Sequence, residues 1–117
     1  MDGSERDTER MGCAALPADE MAARAADAAA FLKALSHEGR LMILCHLSSG
    51  ERSVTELEEL LGARQAAVSQ QLARLRAEGL VSARRDGKAI LYSIRDPKAG
   101  AIMALVYDLF CGPQGQS

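Results

Sequence analysis

The residues of this chain best suited to covalent chemistry are its three cysteines, Cys13, Cys45 and Cys111. A thiolate can attack another sulfur atom, bind a soft metal ion or serve as a catalytic nucleophile. Cys45 lies within the apolar stretch "LMILCHL", where a cysteine that only packs in the core is also common. The residue types by themselves therefore leave packing, metal binding and redox chemistry open.

Histidines could assist a cysteine as a second ligand or as a base, but their positions favour neither role. His46 follows Cys45 directly, and adjacent helical residues point about 100° apart. No base is predicted beside Cys45 or Cys111, and no glycine-rich or oxyanion-binding element is visible. The sequence therefore predicts that the protein is not an enzyme and carries no cofactor.

A cluster of basic residues is the second feature with chemical potential. Residues 62–95 contain seven bases and two acids, whereas residues 1–30 contain seven acids and three arginines, and the net charge is −2. For any single base a solvated surface position is the simpler interpretation. As a group, the bases can form a site for DNA phosphates on an otherwise acidic protein.

The elements that carry these residues follow from the periodicity of the apolar side chains. Residues 19–35 have a helical period and are rich in alanine, and three further helices are predicted within residues 36–50, 53–62 and 65–78. The inward positions of the last two are Leu57, Leu60 and Leu61, followed by Val68, Leu72 and Leu75.

Capping residues mark the ends of these helices. Ser36 is the predicted N-cap of the second helix, and Ser53 or Thr55 that of the third. Gly50, Gly62 and Gly79 are predicted to end successive helices. Arg64 takes the capping position of the fourth helix, which we therefore expect to be weakly capped.

The period changes from 3.6 to 2 after Gly79. Two strands are predicted at about residues 80–85 and 89–94, joined by Asp86 and Gly87 as a tight turn. A last helix starts near Pro97 and is apolar almost all round, so a second copy of the chain is the expected cover.

The order of these elements predicts a mostly α fold with a β-hairpin wing, a winged helix-turn-helix of order α-α-α-α-β-β-α that forms a homodimer. We expect a mobile N-terminal tail at residues 1–18, one DNA-binding and dimerisation domain at 19–112, and a C-terminal tail at 113–117. The charged N-terminal stretch "MDGSERDTER" lacks the apolar segment of a secretory signal, and the odd number of cysteines fits a reducing compartment. We therefore expect a cytoplasmic protein with no membrane partner.

The fourth helix and the wing are predicted to contact operator DNA. At the start of a recognition helix, Gln can read adenine, Ser can read several base edges, and Ala can contact the thymine methyl group. Arginines can contact guanine or phosphate. The predicted contact residues are Arg64, Gln65, Ala66, Ser69, Gln70 and Arg74 on the helix, and Arg84, Arg85 and Lys88 on the wing.

Three blocks of the sequence resemble the ArsR/SmtB family of winged-helix repressors: "FLKALSHEGRLMILCHL", "AAVSQQLARLRAEGLVSARRDGKAILYSI" and "VYDLFC". The resemblance covers about residues 20–111. It implies a homodimer, held by the first and last helices, that leaves its operator when an inducer binds.

The chain departs from the metal-sensing members that it resembles. Ser53, Val54 and Thr55 stand where an arsenic-sensing member has Cys-Val-Cys, and hydroxyls are poor ligands for thiophilic metals. The last helix region, residues 96–111, contains Asp96 and Asp108 but no histidine, so the ligand set of the zinc-sensing members is missing too. No metal site is predicted at either position.

Cys45 and Cys111 resemble the thiol pair of the persulfide-responsive subgroup of this family. The resemblance implies that reactive sulfur species join the two thiols through a short chain of sulfur atoms, which releases repression. We expect the reduced thiols to lie in one subunit, near the dimer interface, slightly too far apart for a disulfide. The alternative is a repressor in which Cys13, Cys45 and Cys111 bind arsenite or a monovalent metal.

Overall fold

The computed structural model describes residues 15–112 of the chain, which divides into two units after Lys33. The described residues form α1 (Ala18–Leu35), α2 (Glu38–Leu47), β1 (Arg52–Ser53), α3 (Val54–Leu61), α4 (Gln65–Ala77), β2 (Val81–Asp86), β3 (Ala89–Ile94) and α5 (Pro97–Phe110). The predicted fold class, mostly helical with a β-hairpin wing, is confirmed. Within residues 15–112, no helix combines the length and apolar character needed to cross a bilayer.

The first unit contains most of α1. Its alanine-rich sequence has a high helix propensity, and Asp19 and Glu20 lie in the first turn, where acids complement the helix dipole. The predicted start at residue 19 differs by one residue from the observed start at Ala18. The helix prediction for this segment is therefore confirmed.

The core of the second unit consists of aliphatic side chains from α2 to α5 and the start of the sheet. Val68, Leu72 and Leu75 of α4 are buried, as their helical spacing predicts. Leu57 of α3 is also buried, but Leu60 is 46% exposed and Leu61 is half-buried, so the inward prediction was wrong for Leu60. With only eight residues, α3 buries a narrower stripe than its leucine pattern suggested.

The N-termini of α2 and α3 are capped by side chains. The Ser53 hydroxyl oxygen accepts a hydrogen bond from the backbone N–H of Glu56 at 3.1 Å, and the Glu56 carboxylate accepts one from the Ser53 N–H at 2.8 Å. Ser53 is therefore the N-cap of α3, as predicted, and the two residues form a full capping box. The prediction that Ser36 is the N-cap of α2 was wrong. His37 is the N-cap, and its Nδ1 accepts from the Gly39 N–H at 3.0 Å.

The three strands form one antiparallel sheet in the order β1-β3-β2. The wing hairpin runs from the pair Val81 and Ile94 to the pair Asp86 and Ala89. Its loop therefore consists of Gly87 and Lys88, one position later than predicted, and Gly87 adopts a φ of 65° that favours glycine. The two-residue strand β1, which pairs with β3, is too short to give an alternating pattern and was not predicted.

Helix α5 begins at Pro97, as predicted, with Asp96 as its N-cap. Ala99 and Met103 face the core of the chain. The second half of the helix leaves large apolar side chains exposed, including Phe110 at 73%. Within one copy of the chain, this helix is therefore only partly covered.

Candidate nucleic-acid interface and thiol site

Helices α3 and α4 pack against each other and are joined by the short turn Gly62 to Arg64. Gly62 closes α3 with a φ of 63°, which lets the chain reverse within three residues. Arg64 is the N-cap of α4 and makes no side-chain capping hydrogen bond, which confirms the expected weak cap. The geometry is that of a helix-turn-helix.

The nine residues predicted to contact DNA are all exposed. On α4 and its N-cap these are Arg64, Gln65, Ala66, Ser69, Gln70 and Arg74, and on the wing Arg84, Arg85 and Lys88. The core side of α4 is fixed by its buried residues, so the polar positions point away from the core. Arg74 pairs with Glu78 at 3.1 Å, one helical turn later.

Arg84 of the wing is held by an acid that the sequence did not single out. Its Nε and Nη2 donate to the two carboxylate oxygens of Glu51 at 2.6 and 2.8 Å. These hydrogen bonds lower the pKa of Glu51 and raise the pKa of Arg84 from their ordinary values. Glu51 and Arg84 are 33 positions apart in the chain, so no local sequence pattern could have predicted this ion pair.

A second set of side chains connects the start of α2 to α4. Arg40 donates from Nη1 to Oε1 of Gln71 at 3.1 Å and from Nε to the carbonyl of Ala34 at 2.6 Å. His37 Nε2 lies 3.4 Å from the amide nitrogen of Gln71. The helix that carries Cys45 is thus tied to the predicted recognition helix by polar contacts that the sequence analysis did not identify.

Cys45 lies on α2 and is exposed, so it is not the packed core residue that its apolar neighbours allow. It lines an open groove of about 780 Å³, together with Ser48, Glu51, Ser93 and Tyr107 among others. Ser48 ends α2 and donates its hydroxyl to the carbonyl of Cys45 at 2.6 Å. Helix α5 forms the opposite wall and packs against α2.

Cys111 is the C-cap residue of α5, and its backbone N–H donates to the carbonyl of Tyr107 at 2.7 Å. Its side chain is exposed, and neither Cys45 nor Cys111 is in a disulfide. Tyr107 and Asp108, one turn earlier on α5, both line the groove beside Cys45. Cys45 thus lies on α2 and Cys111 directly follows α5, and these two helices are in contact, but Cys111 is not one of the residues that line the groove.

Metal binding was the alternative use of the cysteines. Among residues 15–112, no group of three or more His, Cys, Asp and Glu side chains is arranged to hold a metal ion. Cys13, the third member of the alternative site, lies outside the described residues. The three-thiolate site therefore stays a prediction.

Comparisons with known proteins identify the same architecture. The family described as "Bacterial regulatory protein, arsR family" matches residues 37–83, which include α2, α3 and α4. The "Biofilm growth-associated repressor" of Agrobacterium fabrum is 43% identical over 99 residues, 85% of each chain. The "Transcriptional activator HlyU" of Vibrio cholerae is 40% identical over 92 residues, 79% of this chain and 85% of that protein.

A solved structure gives the corresponding match in three dimensions. The crystal structure of the "transcriptional repressor BigR from Xylella fastidiosa" aligns with a TM-score of 0.75 and 43% identity, and covers 82% of this chain and 98% of that chain. The match therefore extends over most of this chain and almost all of that structure.

Proposed function

The chain belongs to the arsR family of bacterial regulatory proteins, and from this we propose that it is a dimeric repressor released from its operator when persulfides join Cys45 to Cys111. The bridge contains one or more added sulfur atoms. The finding that carries this proposal is the position of Cys45, which is exposed in a groove whose other wall is α5, the helix that has Cys111 as its C-cap.

The DNA-binding part of the proposal rests on the exposed faces of α4 and the wing. Recognition helices read base edges with their N-terminal residues, where this chain has Gln65, Ala66, Ser69 and Gln70. The arginines and the lysine of the wing are suited to phosphates or the minor groove. The relatives described above are regulators of transcription, which favours this function over a thiol enzyme.

Dimer formation is supported by the exposed apolar side chains of α5. Leu105, Tyr107, Leu109 and Phe110 are each more than half exposed within one copy. Large apolar side chains exposed together at one end of a helix are typical of a protein–protein contact. We propose a two-fold dimer that uses the first and last helices, in the reducing environment of the cytoplasm.

The proposed sensing chemistry balances without a further oxidant. Each thiolate attacks the outer sulfur of a low-molecular-weight persulfide, takes that sulfur atom and expels the carrier as a thiol. The Cys45 persulfide then attacks the cysteine-bound sulfur of the Cys111 persulfide and expels hydrosulfide. The product is a trisulfide, the shortest bridge of this type, and the persulfide sulfur is the electron acceptor.

Selectivity for persulfide over peroxide would follow from the distance between the thiols. A direct disulfide needs Cα atoms within about 4.4–6.8 Å of each other and a narrow dihedral range. Each added sulfur extends the reach by one bond of about 2 Å. We propose that the reduced thiols are slightly too far apart for a disulfide but are joined by a longer bridge.

The test combines intact-mass analysis with DNA binding. The reduced protein first selects its operator from a random-sequence duplex pool, and is then treated separately with glutathione persulfide, hydrogen peroxide and arsenite. We expect a cross-link with added sulfur and loss of operator binding with persulfide only. Efficient formation of a plain disulfide by peroxide would instead identify a general oxidant sensor.

Three serine variants separate the roles of the cysteines. Cys45→Ser and Cys111→Ser should still bind operator and should lose release by persulfide, because each removes one end of the bridge. Cys13→Ser should respond as the wild type does. Loss of an arsenite response in Cys13→Ser, with no persulfide response in any form, would support the three-thiolate metal site instead.

A further inference from the structure

Glu51 connects the two parts of the molecule that the proposed function uses. It is one of the residues that line the groove beside Cys45, and its carboxylate holds Arg84 of the wing. We infer that Glu51 is a positioning residue that orients Arg84 toward DNA and through which events in the groove reach the wing. The inference rests on the proposed DNA-binding role of Arg84.

The geometry of the pair favours orientation over simple neutralisation. A guanidinium group has five N–H donors, and Glu51 takes one on Nε and one on Nη2. The edge formed by Nη1 and the second N–H of Nη2 remains available. That edge can still donate two hydrogen bonds to a phosphate, in the bidentate manner typical of arginine.

Both backbones that carry the pair are anchored in one sheet. Glu51 directly precedes Arg52, which pairs with Tyr92 of β3, and Arg84 of β2 pairs with Leu91 of β3. The ion pair therefore joins the two outer strands across the central strand. A guanidinium attached in this way has fewer orientations than an arginine at the end of a solvated hairpin.

The same arrangement places Glu51 next to the thiol site. Extending the register of β1 by one residue sets Glu51 opposite Ser93, and Ser93 lines the groove together with Cys45. Sulfur atoms added at Cys45 would enter the same groove that Glu51 lines. Displacement of the Glu51 carboxylate would release Arg84 from its fixed orientation and weaken the wing contact.

The ion pair is weak enough to be changed by such an event. The Arg84 and Glu51 side chains are 57% and 36% exposed, and ion pairs exposed to this extent contribute little to the stability of a fold. A contact of this strength adjusts the affinity for DNA without being required for the fold. Substitution of Glu51 is therefore a clean probe.

The decisive variant is Glu51→Gln, which keeps the shape but loses the charge and the bidentate pair. Removing an acid near DNA normally strengthens binding, so a decrease is the diagnostic outcome. We expect operator affinity of the reduced dimer to fall at least about twofold, because each of its two subunits loses the ion pair. The matched control is Asp86→Asn, which removes an acid from the same wing and keeps a good hairpin residue before Gly87. The operator affinity of Asp86→Asn should be the same as that of the wild type or higher.

A double-mutant cycle isolates the role of Arg84. In the Arg84→Ala background, Glu51→Gln should no longer lower operator affinity, because there is no guanidinium to orient. The affinity ratio between the reduced and the persulfide-cross-linked protein should also be smaller in Glu51→Gln than in the wild type. Circular dichroism melts should show that the variants remain folded.

The possible failures are distinguishable from one another. If Glu51→Gln raises affinity as the control does, Glu51 is only a competing charge and the inference is wrong. If it lowers affinity in the Arg84→Ala background too, its effect does not act through Arg84. An unchanged ratio between reduced and cross-linked protein would rule out the link to the groove. If Arg84→Ala leaves operator affinity unchanged, the assumed DNA contact itself fails.

Discussion

Three helix N-termini are each capped by a side chain that accepts a hydrogen bond from a backbone N–H group with no partner within the helix. The capping residues are His37, Ser53 and Asp96. Ser53 is of the residue type that sequence rules favour, and its cap was predicted. Histidine is not a residue type that these rules favour as an N-cap, and for this reason Ser36 was predicted instead of His37. At Asp96, the Lys98 backbone N–H and, secondarily, the Lys98 side chain lower the pKa of the carboxyl group from its ordinary value.

The lowered pKa of Asp96 predicts a pH effect on stability. A carboxyl group whose pKa is lower in the folded state stabilises the fold above its unfolded pKa of about 3.9, and this contribution is lost as pH falls through the folded pKa. Asparagine caps a helix about as well as aspartate but does not titrate. We therefore expect the stability difference between wild type and Asp96→Asn to shrink below about pH 4.

Urea denaturation at pH 7 and pH 3 measures this effect at one fixed protein concentration, because the stability of a dimer depends on concentration. Glu59→Gln, which removes an exposed carboxylate of α3, serves as the control for general charge effects. An equal difference between wild type and Asp96→Asn at both pH values would contradict the assignment.

At the scale of elements, α5 supplies both the groove wall and the support for Cys111. Its end is unusually tight: a Cβ atom added at Gly112 would stand 2.8 Å from the carbonyl oxygen of Asp108. Gly112 is buried, and its backbone is not in the positive-φ region. The requirement for glycine here is therefore one of close approach rather than of backbone conformation.

We expect Gly112→Ala to disturb the last turn of α5 and displace Cys111. Overpacking of this kind typically costs about 1–3 kcal/mol. The variant should melt at a lower temperature and give less of the persulfide cross-link between Cys45 and Cys111. The matched control is Gly100→Ala in the same helix, where an added Cβ meets no atom within 4 Å. Equal cross-link yields in the two variants would show that the tight turn does not position the thiol.

At the scale of the whole molecule, a chain of net charge −2 is proposed to bind a polyanion. The proposal is consistent because the bases are concentrated in residues 62–95, which form α4 and the wing. Electrostatic attraction to DNA depends on this local surface more than on the total charge, since salt screens charges that lie farther than about 10 Å away. The remaining acidic surface would oppose binding in other orientations.

A two-fold dimer of such surfaces should bind an inverted repeat whose half-sites lie about one or two helical turns apart. The logarithm of the binding constant should fall with the logarithm of salt concentration, by about 0.9 per phosphate contacted. Lys88→Ala removes one phosphate contact from each subunit, so it should weaken binding to operator and to unrelated DNA alike and reduce this slope by about two for the dimer. Ser69→Ala and Gln70→Ala should weaken mainly operator binding. Full-affinity binding of a monomer to a single half-site would refute the dimer geometry.

The sequence by itself determined the order of the five helices and the two wing strands, the helix-turn-helix and most helix ends, but not the short strand β1. These features depend on periodicity and on turn residues within a few positions of each other, so they are encoded locally. For this reason the buried face of α4, the cap at Ser53 and the start of α5 at Pro97 were predictable.

Only the tertiary structure decided which distant side chains meet. The pair of Glu51 and Arg84, and the contact of Arg40 with Gln71, join residues more than thirty positions apart. Neither depends on a sequence period, because each is formed only when β1 pairs with β3 and α2 packs against α4. The exposure of Cys45 was also decided by the tertiary structure. Cys45 belongs to an apolar stretch of the sequence, but it lines a groove because α2 and α5 leave space there. Packing geometry, which is not a local property of the chain, made that residue accessible.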